Sequence, residues 1–470
     1  LALAARSDKY HVKAVKPLPR RKLYEKVPLM DCFTAPCKGG CPIQQDIPEY
    51  IELCRKGRYD SALRLICEKN PLPFITGTIC AHRCQTKCTR NFYDDSVQIR
   101  STKLVAAERG YEAYVSKLKP AAPVKDSRKV AVIGGGPTGM AAAYFVGRAG
   151  IPVTVFEKSD QLGGIVRQVI PGFRISDEAI DKDAALVAKM GAEIRLNTPA
   201  PSVAELKAEG YTHIFFAVGA WKAGRLDIPG NVVPVIGWLK DLKAGKGVSL
   251  GHVAVVGGGN TAMDAARAAL RAGAKSSTLV YRRTKKYMPA DAEELELAIA
   301  DGVNFLELVA PVEQSGGRLR CERMKLGEPD EKGRRKPEPT GEFVEIDCDT
   351  VVSAVGEKVD SEIFTAGGIE VDGKGLPAFR TNVEGVFAGG DAMRGPATVV
   401  EGIADAQWFA NAVIGEAHKY AIPAHAKAGR ADAIAKKGVL CESAKCEGDR
   451  CLTCNVVCQV CADVCPNRAN

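Results

Sequence analysis

Hydrophobic positions along this chain keep two different periods. Near the N-terminus, Pro48-Glu-Tyr-Ile-Glu-Leu-Cys and Tyr59-Asp-Ser-Ala-Leu-Arg-Leu-Ile space their apolar residues helically, so residues 1–115 read as helices between cysteine loops. From Lys129 to about Tyr420, short apolar runs alternate with helical patterns in βαβ fashion, which predicts a parallel, doubly wound sheet. Two of these runs end in glycine: Lys129-Val-Ala-Val-Ile-Gly-Gly-Gly-Pro-Thr-Gly and His252-Val-Ala-Val-Val-Gly-Gly-Gly-Asn-Thr-Ala. Each feeds G-x-G-x-x-G/A into a small-residue helix. One such turn says little, but two in strand-to-helix context point to two dinucleotides held face to face.

Sheet-like segments resume later, at Asp349-Thr-Val-Val-Ser-Ala-Val-Gly and Gly385-Val-Phe-Ala-Gly-Gly-Asp. The expected fold is therefore α/β, with two doubly wound Rossmann-like domains, one inserted in the other. A helical iron–sulfur domain (1–115) and a linker (116–128, with Pro120 and Pro123) come first. The first nucleotide domain takes 129–230 and 353–420, with the second between them at 231–352. A connector (421–440) then leads to a cysteine-rich, ferredoxin-like segment (441–470) that reads as truncated. Residues 327–342, rich in Pro, Gly and charge, read as a surface loop.

Composition narrows the classes. At 470 residues, 46% hydrophobic and 26% charged, the chain has the balance of a soluble globular protein. No stretch approaches the ~20 apolar residues of a membrane span. The formal charge of +9 is mostly local: residues 1–30 hold eight Lys/Arg against Asp8 and Glu25. With aromatics at only 6%, the interleaved stacking surface of a nucleic-acid binder is missing. The opening Leu1-Ala-Leu-Ala-Ala lacks Met and a charged leader, so an upstream segment is expected.

In the first glycine turn, Gly134 permits the tight bend, Gly136 lets backbone approach a pyrophosphate, and Gly139 lets helix pack on strand. The next strand ends in Glu157, placed to accept both hydroxyls of an unphosphorylated ribose, as in FAD or NAD. The second turn (Gly257, Gly259) is followed by a strand ending in Arg282-Arg283, where an acid would otherwise stand. Two guanidinium groups there suit a 2′-phosphate and favour NADP(H), with NAD(H) the alternative. Gly389-Gly390-Asp391 suits the flavin's ribityl and pyrophosphate region, and identifies the first nucleotide as FAD. No cysteine pair follows Gly163-Gly164, which excludes disulfide-reductase chemistry. No arrangement of the six His argues for a triad or a zinc hydrolase.

Fifteen of the 17 cysteines fall in two terminal groups, eight within 32–88 and seven within 441–465. That clustering suits metal sites in a reducing cytoplasm rather than disulfides. Cys32-x4-Cys37-x3-Cys41-Pro and Cys80-x3-Cys84-x3-Cys88 suit [4Fe–4S] clusters, with zinc the rival. Cys54, Cys67, Cys321 and Cys348 read as core residues. The tail Cys441-x4-Cys446-x4-Cys451-x2-Cys454-x3-Cys458-x2-Cys461-x3-Cys465-Pro ends like a bacterial ferredoxin run. One or two further clusters are expected there, with Cys451, Cys454, Cys458, Cys461 and Cys465 as ligands.

From Pro28 to Gly415 the motif order resembles the small subunit of NADPH-dependent glutamate synthase, the N-terminal part of dihydropyrimidine dehydrogenase and the bifurcating transhydrogenases. The resemblance rests on Cys41-Pro42, Asn70-Pro-Leu-Pro, Gly77-Thr-Ile-Cys, Ile170-Pro-Gly-Phe-Arg174, Gly259-Asn-Thr-Ala-Met-Asp264, Tyr281-Arg-Arg-Thr and Gly395-Pro-Ala-Thr-Val-Val. The ending looks most like the larger selenate reductase iron–sulfur subunit group.

This resemblance implies Cys32, Cys37 and Cys88 in one N-terminal cluster and Cys41, Cys80 and Cys84 in another. It adds Pro137, Lys158, Gly164, Arg167, Arg174, Gly219 and Thr398 to the flavin side, and Asn260, Thr261 and Gly356 to the nicotinamide side. Two positions depart from the family: Leu29 stands for a further Cys, and Lys103 stands for a Gln or Glu ligand.

The implied function is an NAD(P)H oxidoreductase passing electrons through FAD and clusters to a redox partner. The partner would be a ferredoxin-like, molybdenum or amidotransferase-type enzyme. The alternatives are a relay running in reverse to reduce NADP⁺, and a docking subunit with vestigial sites. No catalytic side chain beyond the flavin is expected.

Overall fold

The computed structural model describes residues 35–92, 94–330, 335–415 and 443–454, which divide between two compact units. The first unit draws on 35–66, 82–110 and 443–454, the second on 67–81 and 111–415.

In the first unit the helix Ile47–Arg55 buries Ile47, Tyr50, Ile51 and Cys54, a stripe at i, i+3, i+4 and i+7. Pro48 sits in its first turn, where a missing N–H costs nothing. Ala62, Leu63 and Ile66 of the helix Tyr59–Cys67 join this core, with Ile99, Ala106 and Ala107 of the helix Ile99–Val115. Tyr50 donates to the Ile99 carbonyl (3.5 Å) and Gln45 to the Ile66 carbonyl (3.2 Å). A helix from the far end of the chain, Ala444–Arg450, packs on Ile47–Arg55. It comes so close that a Cβ on Gly448 would stand 2.5 Å from the Arg55 Cβ.

The second unit is built on two parallel five-stranded sheets. The first runs in the order Val386–Ala388, His213–Phe216, Val130–Ile133, Val153–Phe156, Glu193–Arg195. The second runs Val232–Pro234, Thr350–Ala354, His252–Gly257, Ser276–Tyr281, Asn304–Glu307. The edge strand Val386–Ala388 comes after the whole second sheet in sequence. One domain is thus inserted in the other, as the two glycine turns predict. Two short strands, Lys222–Ala223 and Glu357–Lys358, pair antiparallel where the chain leaves and re-enters the first domain. Val130–Ile133 is buried at every residue, as expected for a central parallel strand covered on both faces. Phe215 stacks on Phe409 of the helix Val399–Ile414 at 4.3 Å between centroids. Burial of each such side chain contributes about 1.5–3 kcal/mol.

Residues 67–81 are clasped to the first nucleotide domain. The buried Asp183 carboxylate accepts the backbone N–H groups of Phe74 (3.1 Å) and Ile75 (2.8 Å), at the start of the helix Pro73–Ile79. A negative charge there also favours the helix dipole. Arg148 donates to the Glu68 carbonyl and Gln407 to the Lys69 carbonyl.

One expectation fails. Residues 327–342 are not a surface loop: all but 330–334 lie in two long antiparallel strands, Arg318–Pro329 and Arg335–Asp347. Pro337 and Pro339 are tolerated because Arg335–Asp347 is the edge of its three-stranded sheet, where a missing N–H breaks no ladder. The basic strip at 1–30, the 421–440 connector, and Cys32, Cys441, Cys458, Cys461 and Cys465 lie outside the described residues. No described helix is long and apolar enough to cross a membrane.

Candidate functional site

The first glycine turn is shaped by three separate constraints. Gly134 takes φ 102°, and a Cβ there would strike the Ala217 carbonyl oxygen at 2.6 Å. A Cβ on Gly139 would lie 1.9 Å from the Gly134 carbonyl oxygen, so helix and strand touch through glycine. Gly136 differs, because its Cβ would meet no chain atom nearer than the Gly164 Cα at 3.9 Å. The space before Gly136 is open at the start of the helix Pro137–Arg148, where backbone N–H groups and the dipole favour an anion. This cradle fits a pyrophosphate.

Glu157 is buried at the end of its strand and accepts the N–H groups of Gly135 (2.6 Å) and Ser159 (2.8 Å). These bonds fix its carboxylate beside the turn. Gly390 lies against the same helix start, since a Cβ there would meet the Thr138 hydroxyl at 2.4 Å. Its N–H donates to the buried Asp405, which also pairs with Arg394. Asp391 accepts the Ala397 N–H at 3.0 Å, and burial pushes its carboxyl up to about 7. Thr398 begins the helix Val399–Ile414 and donates through N–H and hydroxyl to Glu401. Gly134, Gly136, Gly139, Thr138 and Gly390 are thereby gathered around one helix start. Lys158 is exposed, its ammonium 5.7 Å from the Trp221 ring centroid, and Gly219 stands against Trp221.

Two arginines are engaged within the chain. Arg167 donates to the Leu162 carbonyl (2.6 Å) and pairs with Asp181. Arg174 reaches out of the first domain to two acids of the second, Asp264 and, at 2.8 Å, Glu294. Arg267 stands 3.6 Å from the same Glu294 and 2.8 Å from Asp301. Burial raises the Asp264 carboxyl to about 6 against the pull of Arg174.

The second turn repeats the first. Gly257 has no room beside the Ala354 carbonyl oxygen (2.3 Å for a Cβ), and Ala262, in the third position, is fully buried. Gly259 faces open space. Asn260 and Asp291 bind each other, Thr261 meets the half-buried Glu357, and Gly356 takes φ 114° at the end of its strand. Arg282 is exposed. The Arg283 Nε is buried with no hydrogen-bond partner among the described residues. An orphaned guanidinium donor at this strand end fits a phosphate ester on the ribose.

The cysteines sort differently from their sequence grouping. Cys37, Cys88, Cys451 and Cys454 line one cleft of the first unit. Cys41 and Cys84 stand near the buried Tyr50, whose hydroxyl is held neutral by burial and by the neighbouring thiols. Cys80 belongs to the other unit, at the end of the Pro73–Ile79 helix. Lys103 is buried in Ile99–Val115. Cys54, Cys67, Cys321 and Cys348 are buried, and burial pushes the thiols of Cys54 and Cys321 up to about 12. No three described His, Cys, Asp or Glu side chains are placed to share a single metal ion.

Sequence reasoning did not find the braces. Asp183, Asp405, Asp264 and Glu294 are acids set among apolar helical residues, and that misplacement was their only sequence signal.

Comparison with known proteins follows the same division of the chain. Residues 24–114 match the model described as dihydropyrimidine dehydrogenase domain II, 4Fe–4S cluster. The Escherichia coli protein YgfK is 41% identical over 100% of this chain and 48% of its own length, so the chain spans about half of that relative. The NADPH-Fe(3+) oxidoreductase subunit beta of Geobacter sulfurreducens is 37% identical over 83% of this chain and 63% of its own. The glutamate synthase [NADPH] small chain of Halomonas elongata is 32% identical over 80% and 86%. Residues 128–406, both glycine turns included, match the pyridine nucleotide-disulphide oxidoreductase model, and the chain is an oxidoreductase of that family with an N-terminal 4Fe–4S domain.

Proposed function

We propose that this chain takes hydride from NADPH onto a bound FAD and releases the electrons singly, through [4Fe–4S] clusters, to a partner subunit or domain. One observation carries the reading. Two glycine turns, on sheets joined by one pair of short strands, both open onto free space, and just past the strand that follows the second stands the Arg283 Nε, buried without a partner among the described residues. Bound flavin supplies the conversion between hydride and single electrons. The chain's own residues bind and orient. Gly136 admits the flavin pyrophosphate, Glu157 accepts its ribose hydroxyls, and Asp391 with the Thr398 helix start holds the ribityl side. Gly259 admits the second pyrophosphate, while Arg282 and Arg283 hold the 2′-phosphate and select NADPH over NADH.

Residues 165–174 contain no cysteine, so no disulfide takes part beside the flavin. Cys80 is carried by the same unit as the flavin turn. The relatives named as a small chain and a subunit beta support a partner subunit; we take that partner as amidotransferase, molybdenum or ferredoxin-like in type and place the pair in the cytoplasm. Anaerobic mixing of the flavin-loaded protein with NADPH or NADH tests the reading. Flavin absorbance should bleach faster with NADPH. A flavin that NADPH leaves oxidised would sink it.

A further inference from the structure

The C-terminal cysteines stand where the N-terminal region is short of ligands. The helix Ala444–Arg450 is locked into the first unit at several points. Its buried Glu447 accepts the Gln98 N–H at 3.0 Å, and Arg450 donates to the Asp95 carbonyl at 2.6 Å. Ser443 caps its start by accepting the Cys446 N–H. The chain leaves this helix through Cys451 and turns at Thr453, whose φ of 47° is rare for a residue with a Cβ. That turn delivers Cys454, whose sulfur lies 3.3 Å from the Thr89 hydroxyl, next in sequence to Cys88.

The result is a cleft with four free thiols: Cys37 and Cys88 from one end of the chain, Cys451 and Cys454 from the other. Its remaining walls are chiefly apolar, with Pro36, Ile47, Ile51 and Leu452 among them, and Arg90 at one side. We infer that Cys37, Cys88, Cys451 and Cys454 form one [4Fe–4S] site, its ligands drawn from both ends of the chain. The inference rests on reading the N-terminal region as an iron–sulfur domain.

Three features favour this set. Four thiolates from the described residues complete a cubane, whereas the family pattern supplies three, Cys32, Cys37 and Cys88, with Leu29 at the fourth position and Cys32 outside the described residues. Zn²⁺ needs four donors drawn to one point at about 2.3 Å. No described residues converge in that way. A cubane instead carries its thiolates on four separate irons, and low solvent access suits its electron transfer. Cys451 and Cys454 therefore do not belong to a separate C-terminal cluster.

The full chain, prepared anaerobically with iron and sulfide, tests the site by iron content and by EPR of the dithionite-reduced protein. Cys451→Ser with Cys454→Ser should lose about four irons per chain. It should also lose the same EPR signal as Cys37→Ser, and combining all three changes should remove no more. Loss of about eight irons in the combined variant would show two separate clusters and overturn the inference. Survival of the Cys37-dependent signal in the Cys451/Cys454 variant would do the same. A wild-type chain holding no iron would instead overturn the iron–sulfur reading on which the inference rests. Cys37→Asp and Cys454→Asp keep an anionic ligand and guard against misfolding of the serine variants. Both should shift the g-values of one and the same signal, and shifts in two different signals would refute the shared site.

Discussion

Arg283 carries the sharpest test of coenzyme choice. Its Nε is buried without a partner among the described residues, whereas Arg282 beside it is exposed. Charge-assisted hydrogen bonds to a phosphate contribute about 1.5–3 kcal/mol each, less where water competes. Replacing both residues by Ala should therefore cost NADPH about 2–4 kcal/mol, or roughly 30- to 700-fold in dissociation constant. Most of that loss should follow Arg283→Ala alone. NADH, with no 2′-phosphate, should be nearly unaffected. The cofactor-free chain should not be destabilised through this contact, because the removed Nε had no hydrogen bond to lose. Stopped-flow flavin reduction at varied NADPH and NADH separates binding from hydride transfer. Equal losses for both coenzymes, or a larger effect from Arg282 than from Arg283, would refute the reasoning.

Further outcomes follow from the same geometry. Gly136→Val should fold yet purify without FAD, since its Cβ meets no chain atom within 3.9 Å, and full flavin content in that variant would show the cradle misassigned. Gly139→Ala should destabilise the domain itself, its Cβ falling 1.9 Å from the Gly134 carbonyl oxygen; wild-type thermal stability would contradict that packing. Glu157→Ala should weaken FAD retention without loss of fold, measured as released flavin. Asp264 titrates at about 6 when folded, against an ordinary 3.8, with Arg174, Arg267 and Glu294 around it. Its raised value means the folded chain holds the proton more tightly. That contribution is complete below about pH 4 and fades as pH rises through about 6, by at most about 3 kcal/mol. Denaturation of Asp264→Asn should lack this slope, and an unchanged slope would place it elsewhere.

Local chemistry was legible in the sequence, and long-range placement was not. The glycine turns announce themselves because strand, bend and helix are adjacent in the chain, and the insertion of one sheet in the other follows from their order. The strands around 327–342 were hidden because Pro337, Pro339 and Gly327 resemble loop residues until their edge position is known. Arg174 reads as a cofactor residue, while the two carboxylates it pairs with, 90 and 120 residues away in sequence, are not foreseen. The same holds for Cys451 and Cys454. Spacing groups them with the cysteines that follow, while Glu447 and Arg450, anchored at Gln98 and Asp95, deliver them to Cys37 and Cys88.

The central claim is that hydride enters at the nucleotides and single electrons leave through the clusters. Its most direct test is NADPH-driven reduction of a one-electron protein acceptor too large to reach the flavin, measured beside flavin bleaching in wild type and Cys84→Ser. Flavin bleaching should keep its wild-type rate in the variant, because that step needs only the two nucleotides in contact, while delivery to the acceptor collapses. Delivery at the wild-type rate in Cys84→Ser would show that the electrons do not pass through the N-terminal cluster and would contradict the account.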